Sequence, residues 1–196
     1  MSHSKNGKII VLSDLHLWGP ADPLYRGLLK FIDQRLSPGD KFFILGDVFD
    51  LFIGNKPIFY NRFIELIEKL RSLHTKAVEV HYIEGNHDFQ LESLFDDCKH
   101  IKLYEDELHY EWDSKKFYFC HGDKTNPYDI GYKLFTVFTR NIISQCLIEV
   151  LPGKWIDKIG TKMSQQSRIH STHFKNETVE RSFRNFACEQ ITKGYD

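Results

Sequence analysis

An α/β fold built on a largely parallel sheet is what this sequence predicts. Three observations carry the expectation. Apolar runs at 8–12, 42–45 and 77–83 read as strands buried on both faces, helical periodicities fill the gaps between them, and each run passes straight into a short turn rich in Gly, Asp, Asn or His.

The first run, Lys8 to Leu12, ends at Ser13-Asp14-Leu15-His16. Beyond Gly19 and Pro20, the residues Leu24, Leu28, Phe31, Ile32 and Leu36 recur at helical spacing until Ser37-Pro38-Gly39 stops the pattern. Phe42 to Leu45 form the second strand and lead into Gly46-Asp47, and Phe59, Phe63, Leu66, Ile67 and Leu70 mark a second helix. The third strand leads into Gly85-Asn86-His87-Asp88. Leu108 to Trp112 and Lys116 to Cys120, joined through Asp113-Ser114, predict a β-hairpin that ends at His121-Gly122-Asp123. An apolar, mainly helical stretch from Tyr132 to Ile169, broken near Pro152-Gly153, precedes a last helix with Val179, Phe183, Phe186 and Ile191 on one face, stopping at Gly194. No internal repeat or linker interrupts the chain, so a single domain over 1–196 is expected, with a helical insertion at about 132–170.

Composition narrows the function classes. At 196 residues with 27% charged and 41% hydrophobic residues, the chain has ordinary globular values and enough length for one substantial core. With 26 Lys and Arg against 27 Asp and Glu, the net charge of -1 supplies no basic field, and nucleic acid is not an expected partner. Cys98, Cys120, Cys146 and Cys188 form no C-x-x-C pair, which removes zinc-ribbon and dithiol readings and leaves reduced thiols. The start of the chain is polar, and no apolar run approaches the roughly 20 residues needed to cross a bilayer. A cytoplasmic protein is expected; nothing in the sequence bears on its oligomeric state.

In open α/β sheets functional groups gather beyond the carboxyl ends of the strands, and every turn block just named sits there. Taken singly, Asp14 suits a helix cap, Asp47 a turn and His121 a satisfied core position. Together Asp14, His16, Asp47, Asn86 and His121 supply carboxylate, amide oxygen and imidazole, a donor set suited to borderline divalent ions such as manganese, iron or zinc and richer in nitrogen than a magnesium site. Two ions sharing one carboxylate clamp the attacking and leaving oxygens of a phosphoryl displacement.

The ordered blocks Asp14-Leu15-His16, Gly46-Asp47, Gly85-Asn86-His87-Asp88 and His121-Gly122-Asp123 resemble those of the calcineurin-like metallophosphoesterases. The resemblance implies a four-layer α/β/β/α sandwich and two divalent metal ions, one held by Asp14, His16 and Asp47, the other by Asp47, Asn86 and His121, with Asp47 as the bridge. It implies catalytic roles for His87 and Asp88. Over nearly the whole chain, the segments around Asp14, Asp47, His121, Asp129-Ile130-Gly131-Tyr132 and Ser167-Arg168 are most similar to the UDP-2,3-diacylglucosamine hydrolase branch of that family. That branch cleaves the pyrophosphate of a nucleotide-linked diacyl sugar on the way to lipid A. The likeness implies a manganese-dependent enzyme working at the cytoplasmic face of the inner membrane as a peripheral protein. It also implies substrate contacts from Asp129, Tyr132, Phe138 and Arg168, and a helical lid over 132–169 that houses acyl chains.

Two departures stand out. The best-known members of the branch have Arg after the Asn of the third block, where this chain has His87, as general phosphoesterases do. The chain also ends at Gly194-Tyr195-Asp196, where the family has a further strand and a G-H-x-H block, so the sandwich is expected to be C-terminally incomplete. Counted by the family pattern, each ion then lacks one histidine, and weak metal binding and an unpaired sheet edge are expected. His170 and His173, three residues apart, are alternative ligands that otherwise read as a solvated helix face. Three functions follow: the diacyl-sugar nucleotide hydrolase, a soluble phosphodiesterase or phosphatase sharing the metal centre, and a catalytically impaired binding scaffold.

Overall fold

The computed structural model describes residues 7–122, 150–158 and 177–196. Its contacts divide into two compact units, Met1–Asp106 and Glu107–Asp196.

The first unit is built on a four-stranded sheet of order β1-β2-β4-β6, with β1 at Ile9–Leu12, β2 at Lys41–Leu45, β4 at Glu79–Ile83 and β6 at Ile101–Tyr104, all neighbours parallel. The second and third of the three apolar runs read from the sequence occupy its two central positions. Phe42, Phe43 and Val80 are fully buried, as strands covered on both faces must be. β1 lies at an edge, and its Val11 is 49% exposed.

Helix α1 (Pro23–Arg35) starts where the Asp22 carboxylate accepts the Leu24 amide at 2.9 Å, with Pro23 in the first turn, where its missing N–H is no loss. Its buried face is Tyr25, Leu28, Leu29 and Ile32; Leu24, counted on that face from the sequence, is exposed. Helix α2 (Pro57–Arg71) buries all five apolar residues expected of it. It kinks at Phe63, and the amide of Leu66 donates to the Tyr25 hydroxyl of α1 at 3.1 Å, so a side chain enters the helical ladder there. A two-stranded parallel clip, β3 (Phe52–Ile53) with β5 (Asp88–Phe89), ties the segment after β2 to the turn after β4. A short helix α3 (Glu92–Phe95) follows.

In the second unit β7 (Glu107–Trp112) and β8 (Lys115–Cys120) form the expected antiparallel hairpin. Asp113 and Ser114 both have positive φ (53° and 62°), the two-residue turn geometry whose twist matches its strands. The last helix, α4 (Glu177–Thr192), ends before Gly194, whose φ of 92° suits a left-handed cap. Its Phe183 and Ile191 are exposed while Gln190 is buried, so the face read from the sequence is not the covered one. Of the stretch expected to form a lid, only 150–158 is described: 153–158 is helical, with Ile156 buried and Trp155 exposed.

One titrating group in the sheet sets an expected pH dependence. His81 on β4 stacks on Phe43 at 4.6 Å, and its Nδ1 lies 3.0 Å from the Tyr104 hydroxyl. Burial lowers its pKa to about 4 against the opposing pull of Glu79. Burial pushes Glu79 itself up, but Lys102 and Lys41 hold it at about 2. Between pH 6.5 and 4 the unfolded chain therefore takes up a proton at His81 that the folded chain refuses, and stability falls as pH falls. The loss from this residue amounts to up to about 3 kcal/mol across the window. Glu79 adds a further loss only below its unfolded pKa of 4.5. Melting temperatures from pH 7.5 to 4.5 should show a shallower slope in His81→Phe; an unchanged slope would contradict the assignment.

Candidate metal centre

Because β1, β2 and β4 are parallel and in register, with Leu12 opposite Ile44 and Leu45 opposite Ile83, their carboxyl ends open on the same edge of the sheet. The three turn blocks that follow them are thereby neighbours. The amide of Asp14 donates to the Gly46 carbonyl at 3.2 Å, that of His16 to Asp47 at 2.9 Å and that of Leu17 to Val48 at 2.8 Å. Asp14, His16 and Asp47 all hold left-handed backbone, with φ of 53°, 47° and 54°. Such conformations cost a non-glycine residue roughly 1 kcal/mol or more and persist where the surroundings over-determine them. Three of the seven positive-φ non-glycine residues among the described residues are these.

Beneath these turns lies Asp88, fully buried. Its Oδ1 accepts the amides of Asp47 (2.9 Å) and Gly85 (3.0 Å), and its Oδ2 accepts the amide of Val48 and the hydroxyl of Tyr82, both at 2.7 Å. Burial and then the Asp47 carboxylate raise its pKa, while the four donors favour the ion. The family resemblance implies a catalytic role for Asp88, and its burial and hydrogen bonds point to how it acts. A carboxylate with no exposed surface and four donors already on it is suited to holding Asp47 and the turn after β4 in place.

The turn after β4 closes over Asp47. Asp47 Oδ1 accepts the amide of His87 at 2.9 Å. A Cβ on Gly85 would lie 2.2 Å from Asp47 Oδ1 and 2.6 Å from its backbone nitrogen, so only glycine allows this approach. The imidazole of His87 has Nδ1 2.6 Å from the carbonyl oxygen of Asp50. A carbonyl can only accept, so Nδ1 carries a hydrogen and Nε2 is the position where the ring exchanges a proton. His16 meets His87 edge to face with ring centroids 4.8 Å apart, and its Nε2 lies 3.8 Å from Asp47 Oδ2.

Donor atoms of His16, Asp47 and His87 lie within 4.8 Å of one another, and a carboxylate oxygen of Asp14 lies within the same distance of Asp47. Burial lowers the pKa of His16 against the pull of Asp47, keeping its imidazole in the neutral form that ligates metals. Its Nδ1 is buried without a hydrogen-bond partner. The other ring nitrogen, Nε2, is the one on the side of Asp47, and an imidazole converging with carboxylates within 4.8 Å is a donor set that fits a borderline divalent cation.

Of the residues singled out in the sequence, the first unit brings together Asp14, His16, Asp47, His87 and the half-buried Asn86, with Asp88 beneath them. His121 follows β8 in the second unit. Asp129, Tyr132, Phe138, Arg168, His170 and His173 lie outside the described residues. Sequence reading missed Asp50, Tyr82 and Gly85 as parts of the site. Asp50 contributes through its backbone, which leaves no side-chain signal; Tyr82 reads as core; and Gly85 alone was legible, as a glycine in a block that already carried three polar residues.

Comparison with known proteins agrees with this geometry. The profile of the calcineurin-like phosphoesterase family matches residues 7–194. The chain is similar to a protein of Serratia proteamaculans named UDP-2,3-diacylglucosamine hydrolase, with 28% identity over 87% of this chain and 70% of that protein. Proteins of the same name from Nitrosococcus oceani (26% identical over 94% of this chain and 76% of the relative) and Blochmanniella pennsylvanica (31% over 74% and 58%) are also similar.

Proposed function

The chain belongs to the calcineurin-like phosphoesterase family and is a metal-dependent phosphoester hydrolase, and from that premise we propose that it cleaves the pyrophosphate of UDP-2,3-diacylglucosamine, releasing UMP and an acylated glucosamine 1-phosphate. The observation that supports a phosphoryl-transfer centre most strongly is the convergence of His16, Asp47 and His87 donors beside Asp14 at the end of a parallel sheet. In this reading Asp14, His16 and Asp47 hold one divalent ion, Asp47, Asn86 and His121 hold the second, and manganese is the metal, with iron or zinc as alternatives. When bound, such a pair supplies an activated water and charge for the attacking and leaving oxygens.

The chain's own groups do the rest. Asp88 holds the amides of Asp47 and Val48, so the bridging carboxylate is fixed before substrate arrives. His87, its Nδ1–H anchored on the Asp50 carbonyl, presents Nε2 to the leaving oxygen and either donates a proton to it or binds its phosphate. Substrate contacts from Asp129, Tyr132, Phe138 and Arg168, and a lid over 132–169, belong to the same proposal. No helix among the described residues is long and apolar enough to cross a membrane. We place the enzyme at the cytoplasmic membrane surface as a peripheral protein, where a diacyl substrate resides.

Product analysis by mass spectrometry tests the bond cleaved: UMP with a diacylglucosamine 1-phosphate is expected, whereas UDP with a free sugar would contradict it. For His87→Ala we expect a loss of about 10² to 10⁴ in rate on a substrate with a poor leaving group and a much smaller loss on a nitrophenyl ester. Equal losses on both would remove the acid role. A second reading, a phosphodiesterase acting on another nucleotide, draws on His87 standing where the best-known members of the branch have Arg.

A further inference from the structure

Two residues beyond His16 the chain holds a large aromatic ring out to solvent. Trp18 is 52% exposed, whereas Leu17 before it is fully buried and Gly19 after it is buried too. Among the described residues of the first unit it is the one aromatic side chain in the exposed class. A single exposed apolar residue needs no explanation in itself. What sets Trp18 apart is where it is fixed.

The segment that carries it is pinned to the segment that carries Asp47. His16 donates to the Asp47 carbonyl, Leu17 donates to Val48 at 2.8 Å, and the Leu17 carbonyl accepts from Asp50 at 2.9 Å. On the far side, the Gly19 carbonyl accepts the amide of Asp22 at 3.0 Å, just before α1. Two residues of chain span at most about 7 Å, so the Cα of Trp18 lies no farther than that from the Cα of His16. Gly19 also admits the stem of Arg62: a Cβ there would lie 3.9 Å from Arg62 Cγ and Cδ. The Arg62 guanidinium carbon in turn sits 5.8 Å over the buried Phe59 ring of α2.

We propose that Trp18 is the platform on which the base of a nucleotide stacks while its phosphate is held at the Asp14, His16 and Asp47 site, a role that rests on the nucleotide-linked substrate read above. A rigidly displayed indole loses little conformational freedom on binding a flat ring, and base–aromatic stacking is worth about 1–3 kcal/mol. Trp18 thereby sets preference for a nucleotide over a bare phosphoester without taking part in the chemistry.

The test compares binding of UMP and ribose 5-phosphate, which share the phosphate and sugar and differ in the base, by calorimetry on manganese-loaded protein. Wild type should bind UMP about 5- to 100-fold more tightly than ribose 5-phosphate. Trp18→Ala should bring the two within about 2-fold by weakening UMP alone, and Trp18→Phe should keep part of the preference. Equal affinities in wild type, or a preference that survives Trp18→Ala, would overturn the proposal. So would a loss seen only for diacylglucosamine 1-phosphate, which would make Trp18 a lipid contact. Failure of the functional reading is separate: it appears as no UMP released from UDP-2,3-diacylglucosamine by wild type, while the binding comparison still reports on Trp18.

Discussion

Replacing Asp47 with Ala should abolish hydrolysis more completely than any other single substitution at the site. Loss of an outer-shell partner typically costs about 10- to 100-fold in metal affinity or activity, and loss of the carboxylate we propose is shared by both ions should exceed the upper end of that range. The same side chain accepts the His87 amide, so Ala also frees the turn after β4. Asp47→Asn separates the two roles. It keeps an oxygen for the His87 amide and should fold with nearly wild-type thermal stability, yet lose metal because the bridging charge is gone. Metal analysis finding two full ions on Asp47→Asn would contradict the bridge.

Asp88→Ala should be the most destabilising change at the site. It leaves the amides of Asp47 and Val48 and the Tyr82 hydroxyl without their acceptor in a fully buried place, while the Gly85 amide keeps the Asp88 backbone carbonyl at 3.1 Å. Buried donors stripped of a partner cost roughly 1–3 kcal/mol each, and partial relaxation brings the expected total to about 3–5 kcal/mol. The melting temperature should fall by roughly 10 °C or more, against a typical stability of about 5–15 kcal/mol. If it stayed put while turnover vanished, Asp88 would act on the reacting atoms after all.

The burial of Asp88 shows what the sequence could and could not convey. The turn blocks after β1, β2 and β4 were legible because long apolar runs set the strands and because Gly next to Asp or Asn marks a sharp exit from them. The two-residue strands Phe52–Ile53 and Asp88–Phe89 are too short for any periodicity, and the clip they form is what places His87 over Asp50. Asp88 stands beside His87 in sequence yet differs from it in surroundings, because Asp88 is fully buried and His87 only half-buried. Helical faces were read within one residue: Pro23 at the first turn puts Leu24 in solvent and turns Tyr25 and Leu29 inward. The left-handed backbone of Asp14, His16 and Asp47 left no mark in composition, since none is glycine. Substrate contacts expected between 129 and 168 fall outside the described residues.

The most direct test of a two-ion pyrophosphate hydrolase is a manganese titration of chelator-stripped protein, with UMP release from UDP-2,3-diacylglucosamine followed at each step. The account predicts no release without metal, activity that rises with added manganese, and saturation at two ions per chain. Release that persists in chelator, saturation at a single ion, or turnover of a nitrophenyl phosphodiester with none of the diacyl substrate would contradict it.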